Sequence, residues 1–236
     1  SDHSQLDDQI ASGGYDYVNN DSNPEDDHGH GTHVAGIIAA EKTGTGMHGV
    51  CPNCDIIPIK VCNSAGGCSE ADVASGIDRA RTEGAKVANI SLGFDYDTGT
   101  IQTALTKAVN AGMIVSIASG NDSYLNWIAW PARYAQNYTT DKTVFAVGAT
   151  DSNNQITSYS NECGGVSNWC DYFIHAPGHS IYSTTYDGSY GNKNGTSMAA
   201  PHVAGAAGLL FEEFPNLSAK QIAALIWDNA ADMGYA

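Results

Sequence analysis

The sequence predicts an α/β protein: a mostly parallel central sheet with helices on both faces, a three-layer sandwich. Three observations carry this. Residues 55–61, 87–93, 113–121 and 143–149 are apolar, β-branched runs without polar alternation, the pattern of strands buried on both faces. Segments of helical period, residues 70–83 and 100–111, lie between them as crossovers. Apolar residues make up 42% of the 236, enough to fill the core of one domain over 1–236.

In chain order, residues 1–29 are polar and broken by Gly13-Gly14, Asn19-Asn20-Asp21 and Asn23-Pro24, so they read as surface loop. A helix opens at His30 in His28-Gly29-His30-Gly31-Thr32-His33-Val34-Ala35-Gly36, with small residues on its packing side. A glycine-rich loop, 43–49, leads to the first buried strand, 55–61. Residues 62–69 form a loop. The helix over 70–83 sets Val73, Ile77 and Ala80 on one face. The strand 87–93 ends in a small-residue turn, and 113–121 ends in Gly120-Asn121. After Asp151 the pattern loosens into short, turn-rich β segments. A buried helix opens at Ser197, with Pro201 tolerated within about the first turn. A last amphipathic helix spans 218–230, with Ser218 as its N-cap.

Charge narrows the function classes. There are 26 Asp and Glu against 10 Lys and Arg, a net charge of −16. Nucleic acid and anionic membranes are poor partners for that surface, and no apolar run reaches the length of a membrane span. Six cysteines allow fifteen connectivities. Their spacing suggests local pairs, Cys51 with Cys54, Cys62 with Cys68, and Cys163 with Cys170. Cys51-Pro52-Asn53-Cys54 has no second C-x-x-C and no thioredoxin-like context, so a structural disulfide ranks above redox or zinc chemistry. The usage points to a secreted or extracytoplasmic protein.

In open parallel sheets, functional groups collect at the carboxyl ends of the strands. Ser91-Leu92-Gly93, Ser119-Gly120-Asn121 and the Ser197 turn all fall at such ends. A serine at a helix N-terminus sits among unpaired N–H groups and the positive end of the helix dipole, where an oxyanion is stabilised. Ser197 is the candidate nucleophile, His30 the general base and then acid, and Asn121 a donor to the oxyanion beside the Ser197 N–H. The spacing His28-x-His30-x-x-His33 also admits a metal site with Asp26 and Asp27, but no carboxylate or cysteine sits at a matching helical offset.

With these residues the chain resembles the subtilisin-like serine proteases, the subtilases. Residues 195–205 match the family's serine motif, His30-Gly31-Thr32-His33-Val34-Ala35-Gly36 its histidine motif, Asn89-Ile90-Ser91-Leu92-Gly93 its substrate strand, and Ser119-Gly120-Asn121 its oxyanion turn. The resemblance implies a peptide or protein substrate bound extended between Ser91-Leu92-Gly93 and a second strand, Ala65-Gly66-Gly67. Ala118, Ser119 and Gly120 would line a roomy primary pocket with Asp122 near its rim, and His33 and His202 would be structural. The family's third catalytic residue, an Asp in D-[ST]-G, is missing; Asp2, Asp7 and Asp8 do not fit the motif. His3-Ser4-Gln5-Leu6 resembles the segment just downstream, which puts that Asp about four residues before Ser1. The chain then reads as a truncated domain, short at both ends and impaired alone, with an upstream segment bearing the Asp and a zymogen propeptide. No cofactor is needed for the chemistry. The structural calcium of many relatives uses a carboxylate where this chain has Gln5; the loop 41–49 still offers carbonyls, and weaker binding on the acidic surface stays open. Alternatives to an endopeptidase are an inactive pseudoprotease that binds peptides, and a peptide ligase or macrocyclase.

Overall fold

The structure is a computed structural model, and it describes residues 3–97, 99–164 and 169–232. In chain order the strands are β1 (Tyr15–Asp16), β2 (Ile59–Lys60), β3 (Val87–Ile90), β4 (Ile114–Ala118), β5 (Val144–Thr150), β6 (Phe173–Pro177), β7 (Ile181–Thr184) and β8 (Tyr190–Lys193). The helices are α1 (His30–Ala39), α2 (Glu70–Thr82), α3 (Thr100–Asn110), α4 (Thr196–Glu213) and α5 (Ala219–Asn229). Strands β3, β4, β5 and β6 form one sheet in that order, every neighbour parallel.

Alternation along the central strands builds two cores. Val115 and Ile117 of β4 and Val144 and Ala146 of β5 pack with Ile77 of α2 and Leu105 of α3. Ile114, Ala118, Phe145 and Val147 point the other way, against Ala199, Ala200 and Val203 of α4 and Ile222 of α5. This is the predicted sandwich with helices on both faces. The alanines of α4 let it lie close to the sheet, and Ser116, the one polar residue of β4, donates from Oγ to Ala200 O at 2.8 Å. Ser69 caps α2 by accepting from Asp72 N. Ser218 caps α5 in a reciprocal box with Gln221. No helix among the described residues is long and apolar enough to cross a membrane.

Three expectations change. Residues 55–61 are not a strand buried on both faces. Only β2 is regular there, half-buried, and it pairs in parallel with β1 from the segment read as loop. Its apolar residues have one strand neighbour and lie outside the central sheet. Second, β6 joins that sheet as an edge strand, although its sequence, Phe173-Ile174-His175-Ala176-Pro177, lies in the turn-rich stretch. Third, α4 begins at Thr196, which puts Pro201 in the second turn. The N–H that proline lacks would have met Ser197 O. The Ser91 hydroxyl donates to that oxygen instead, at 2.8 Å.

All three cysteine pairs close as disulfides: Cys51–Cys54, Cys62–Cys68 and Cys163–Cys170. Asp2, residues 165–168 inside the last loop, and the C-terminus at Ala236 lie outside the described residues.

Candidate active site

Ser197 is the second residue of α4, at the carboxyl edge of the sheet. The helix is entered through Gly195, whose φ of 145° favours glycine. A Cβ there would stand 3.5 Å from both Asn121 Nδ2 and Asn121 Oδ1 and 3.6 Å from Ser197 N. The whole Asn121 amide and the Ser197 N–H, on different elements, therefore border the space that this glycine leaves open. Asn121 follows β4 and is exposed. Its Oδ1 accepts from Thr196 N at 2.8 Å and from Thr196 Oγ1 at 3.1 Å. These two bonds tie the carbonyl end of Asn121 to the helix start. Thr196 Oγ1 also receives Gly120 N at 3.2 Å, so both sides of the gap hang on one buried threonine.

Ser197 Oγ donates to Ser91 O at 3.2 Å. Ser91 Oγ in turn receives Asn89 Nδ2 at 2.9 Å while donating to Ser197 O. The end of the predicted substrate strand and the start of α4 are thus joined in both directions.

His30 opens α1, which lies on α4 through Val34, Ile37 and Met198. Gly36 makes that region tight: a Cβ on it would come within 2.2 Å of Thr184 Oγ1 and 2.4 Å of Ser183 Oγ. Asp26 holds the N-terminus of α1. Its Oδ2 accepts from Thr32 N and Thr32 Oγ1, both at 2.7 Å, and its Oδ1 from Gly29 N at 2.8 Å and His28 N at 3.0 Å. Burial raises the Asp26 carboxyl, but these donors outweigh it and hold it below its ordinary value. His30 is half-buried. Burial first, then the fields of His28, Lys193 and His33, push its imidazole down to about 4 against the pull of Asp26. His30 is therefore neutral at pH 7 and has a free lone pair for a proton.

The predicted substrate segments fare unequally. Ser91, Leu92 and Gly93 continue beyond β3, and Leu92 packs into the core. Ala65, Gly66 and Gly67 are a turn closed by the Cys62–Cys68 disulfide, not a strand. Asn63 draws the loop inward: its Oδ1 accepts Ala65 N and Gly67 N, each at 3.0 Å. His28 lies beside Gly66, its Nε2 3.4 Å from where a Cβ would sit. Ala118 and Ser119 are buried, and Ser119 Oγ donates to Asn161 O at 2.9 Å. Gly120 has φ 108°, and a Cβ on it would strike Asn161 Nδ2 at 2.2 Å. Their small size makes room for Asn161.

Asn161 is the residue that sequence reasoning missed. It is fully buried. Its Oδ1 accepts Asp122 N at 2.9 Å and Tyr124 N at 3.1 Å, and its Nδ2 donates to Asp122 Oδ2 at 3.1 Å. It thereby fixes the turn beyond Asn121 and keeps Asp122 at the rim. Nothing in Ser160-Asn161-Glu162 marks it, because its partners lie about forty residues upstream.

The histidine spacing does not assemble a metal site. His33 is buried and turns its Nε2 to Gly191 O at 3.0 Å, whereas His28 is exposed. Among the described residues, no group of three or more His, Cys, Asp or Glu is placed to hold a metal ion. His202 Nδ1 donates to Met198 O at 2.8 Å within α4. The calcium position implied by the resemblance does not fit calcium either. Gln5 is buried and aims an amide nitrogen at the oxygens of the 41–49 loop, where a cation would need acceptors.

The starts of α1 and α4 thus carry His30 and Ser197 on a parallel α/β sandwich, the class of architecture found in subtilisin-like serine peptidases. The chain belongs to the subtilase family, whose Peptidase S8 model matches residues 2–236. It is 40% identical over 225 residues to subtilisin DY of Bacillus licheniformis, covering 94% of this chain and 77% of that protein. It is 39% identical over 222 residues to subtilisin Savinase of Lederbergia lenta, with the same coverage of each. The crystal structure of a cold-adapted subtilisin-like serine proteinase superposes with a TM-score of 0.84 at 33% identity, over 98% of this chain and 78% of that one.

Proposed function

We propose that this chain is the peptidase domain, over 1–236, of a secreted endopeptidase that cleaves peptide bonds through an acyl-enzyme on Ser197. The observation that carries the reading is the gap at Gly195. The Asn121 amide and the Ser197 N–H both border it, and the Ser197 hydroxyl belongs to the same turn. A scissile carbonyl seated there has its carbon beside the nucleophile and its oxygen between two donors. Ser197 Oγ leaves Ser91 O and attacks the carbonyl carbon. Its proton passes to His30, and the carbonyl oxygen takes the negative charge. When the intermediate collapses, the C–N bond breaks and His30 hands the proton to the leaving amine. Water then repeats the sequence and releases the acid.

His30 needs a carboxylate to orient it and to stabilise the imidazolium. Asp26 has both oxygens committed to the start of α1, so an upstream segment is proposed to bring the third catalytic residue, along with the propeptide. Three disulfides support an extracytoplasmic setting. The extended substrate pairs with Ser91-Leu92-Gly93, while the Ala65-Gly66-Gly67 turn, with the N–H groups of Ala65 and Gly67 held by Asn63, bounds the groove without forming a second ladder strand.

One observation favours a second reading, a peptide-binding pseudoprotease: the Ser197 proton is directed at Ser91 O. Hydrolysis of a peptide amide by the chain with its upstream segment separates the two. Ser197→Ala abolishes turnover while peptide binding persists. Turnover retained by Ser197→Ala overturns the assignment, and absence of turnover in the parent favours the binding module.

A further inference from the structure

Four oxygens of one loop converge on a single side-chain nitrogen. Gln5 Nε2 lies 2.7 Å from Met47 O, 2.9 Å from Glu41 O, 3.1 Å from Thr45 O and 3.2 Å from Thr43 Oγ1. Lone pairs facing one another at such range repel unless something positive stands among them. We infer that the Gln5 amide takes the place of a cation here, so that the loop over 41–49 folds without calcium.

The donor set supports this. The four oxygens are three backbone carbonyls and a hydroxyl, with no carboxylate among them. Calcium prefers six to eight oxygens, including charged ones. A primary amide brings two hydrogens, which four neutral acceptors share as bifurcated bonds.

The contact on the other side of the amide agrees with a nitrogen turned toward the loop. The Tyr190 hydroxyl donates to Gln5 Oε1 at 2.6 Å. Tyr190 is itself wedged by an edge contact with His3 and a stack on Tyr182. It reaches the site because residue 46 is glycine: a Cβ there would lie 2.3 Å from Tyr190 Oη and 2.8 Å from Gln5 Oε1. Gly46 also has φ 73°. Donor, lock and clearance come from three separate parts of the chain.

The loop is the continuation of α1. Gly49 N donates to Ala40 O, Val50 N to Ile37 O and Cys51 N to Ile38 O, while Glu41 N returns to Gln5 O. Gln5 thus tethers the far end of the helix that carries His30, whichever reaction that histidine performs.

The test is hydrogen exchange over residues 41–49 by mass spectrometry, in EDTA and in excess calcium. The parent chain shows the same protection in both. Gln5→Asp sets a carboxylate against the four oxygens. In EDTA its loop exchanges roughly thirtyfold faster, the equivalent of two lost hydrogen bonds, and calcium restores the protection. Calcium-dependent protection of the parent loop overturns the inference, as does a Gln5→Asp loop that stays protected in EDTA. If Gln5→Asp does not fold, the parent comparison decides alone.

Discussion

The Gly195 position shows how one residue can serve by having no side chain. Its φ of 145° turns the chain into α4, and the volume it vacates separates Asn121 Nδ2 from Ser197 N. Asn121 is pre-positioned because Thr196 occupies its oxygen from two directions, at 2.8 and 3.1 Å. A donor held in this way needs no reorganisation when charge develops. Asn121→Ala lowers kcat by about 10²–10³ with little change in KM, as measured by steady-state peptide hydrolysis. A change confined to KM would mean that Asn121 only shapes the groove.

At the level of elements, α1 carries the imidazole and α4 the hydroxyl, and glycines govern their neighbours. Gly36 in the histidine motif looks from sequence like one of several small residues on a helix face. The structure gives it a particular duty, since Thr184 and Ser183 occupy the place of its missing Cβ while donating to Thr32 O and His33 O at 2.8 Å each. Gly36→Ala gains helix propensity but forces α1 away from β7. A net loss of about 1–3 kcal/mol is expected in denaturant unfolding, with a fall in kcat because His30 moves with the helix. Pro201 is the complementary case. Its missing donor is replaced from outside the helix by Ser91, which ties the end of β3 to the start of α4.

For the molecule as a whole, the sign of the pH dependence follows from the surroundings of His30. It accepts a proton only when neutral, so turnover falls as pH drops through its pKa. In the chain alone, burial and positive neighbours place that limb at about 4. A carboxylate delivered from upstream favours the imidazolium, raises the pKa and moves the acid limb to higher pH, while kcat rises by about 10⁴. Profiles of kcat/KM for the chain with and without the upstream segment check both effects. A limb that stays put would show that no carboxylate reaches the ring.

The sheet and the ends of β3 and β4 were legible because each is a local run of one kind of residue. The helix starts at His30 and beside Ser197 were legible as motifs. Asn161, the Tyr190 lock on Gln5 and the edge strand β6 were not, since each depends on partners far away in the chain. The strand over 55–61 was over-read: apolar composition reports burial, and half-burial beside a single neighbour produces a similar composition.

The three disulfides span only three, six and seven residues. Each cysteine therefore has its correct partner as its nearest neighbour along the chain, where short-loop closure is fastest. Oxidation imposes no order on folding, because the right bridges can form in an unstructured polypeptide and none of them joins distant parts. Such staples stiffen surface loops and leave topology to the sheet, so oxidation carries little risk of scrambling.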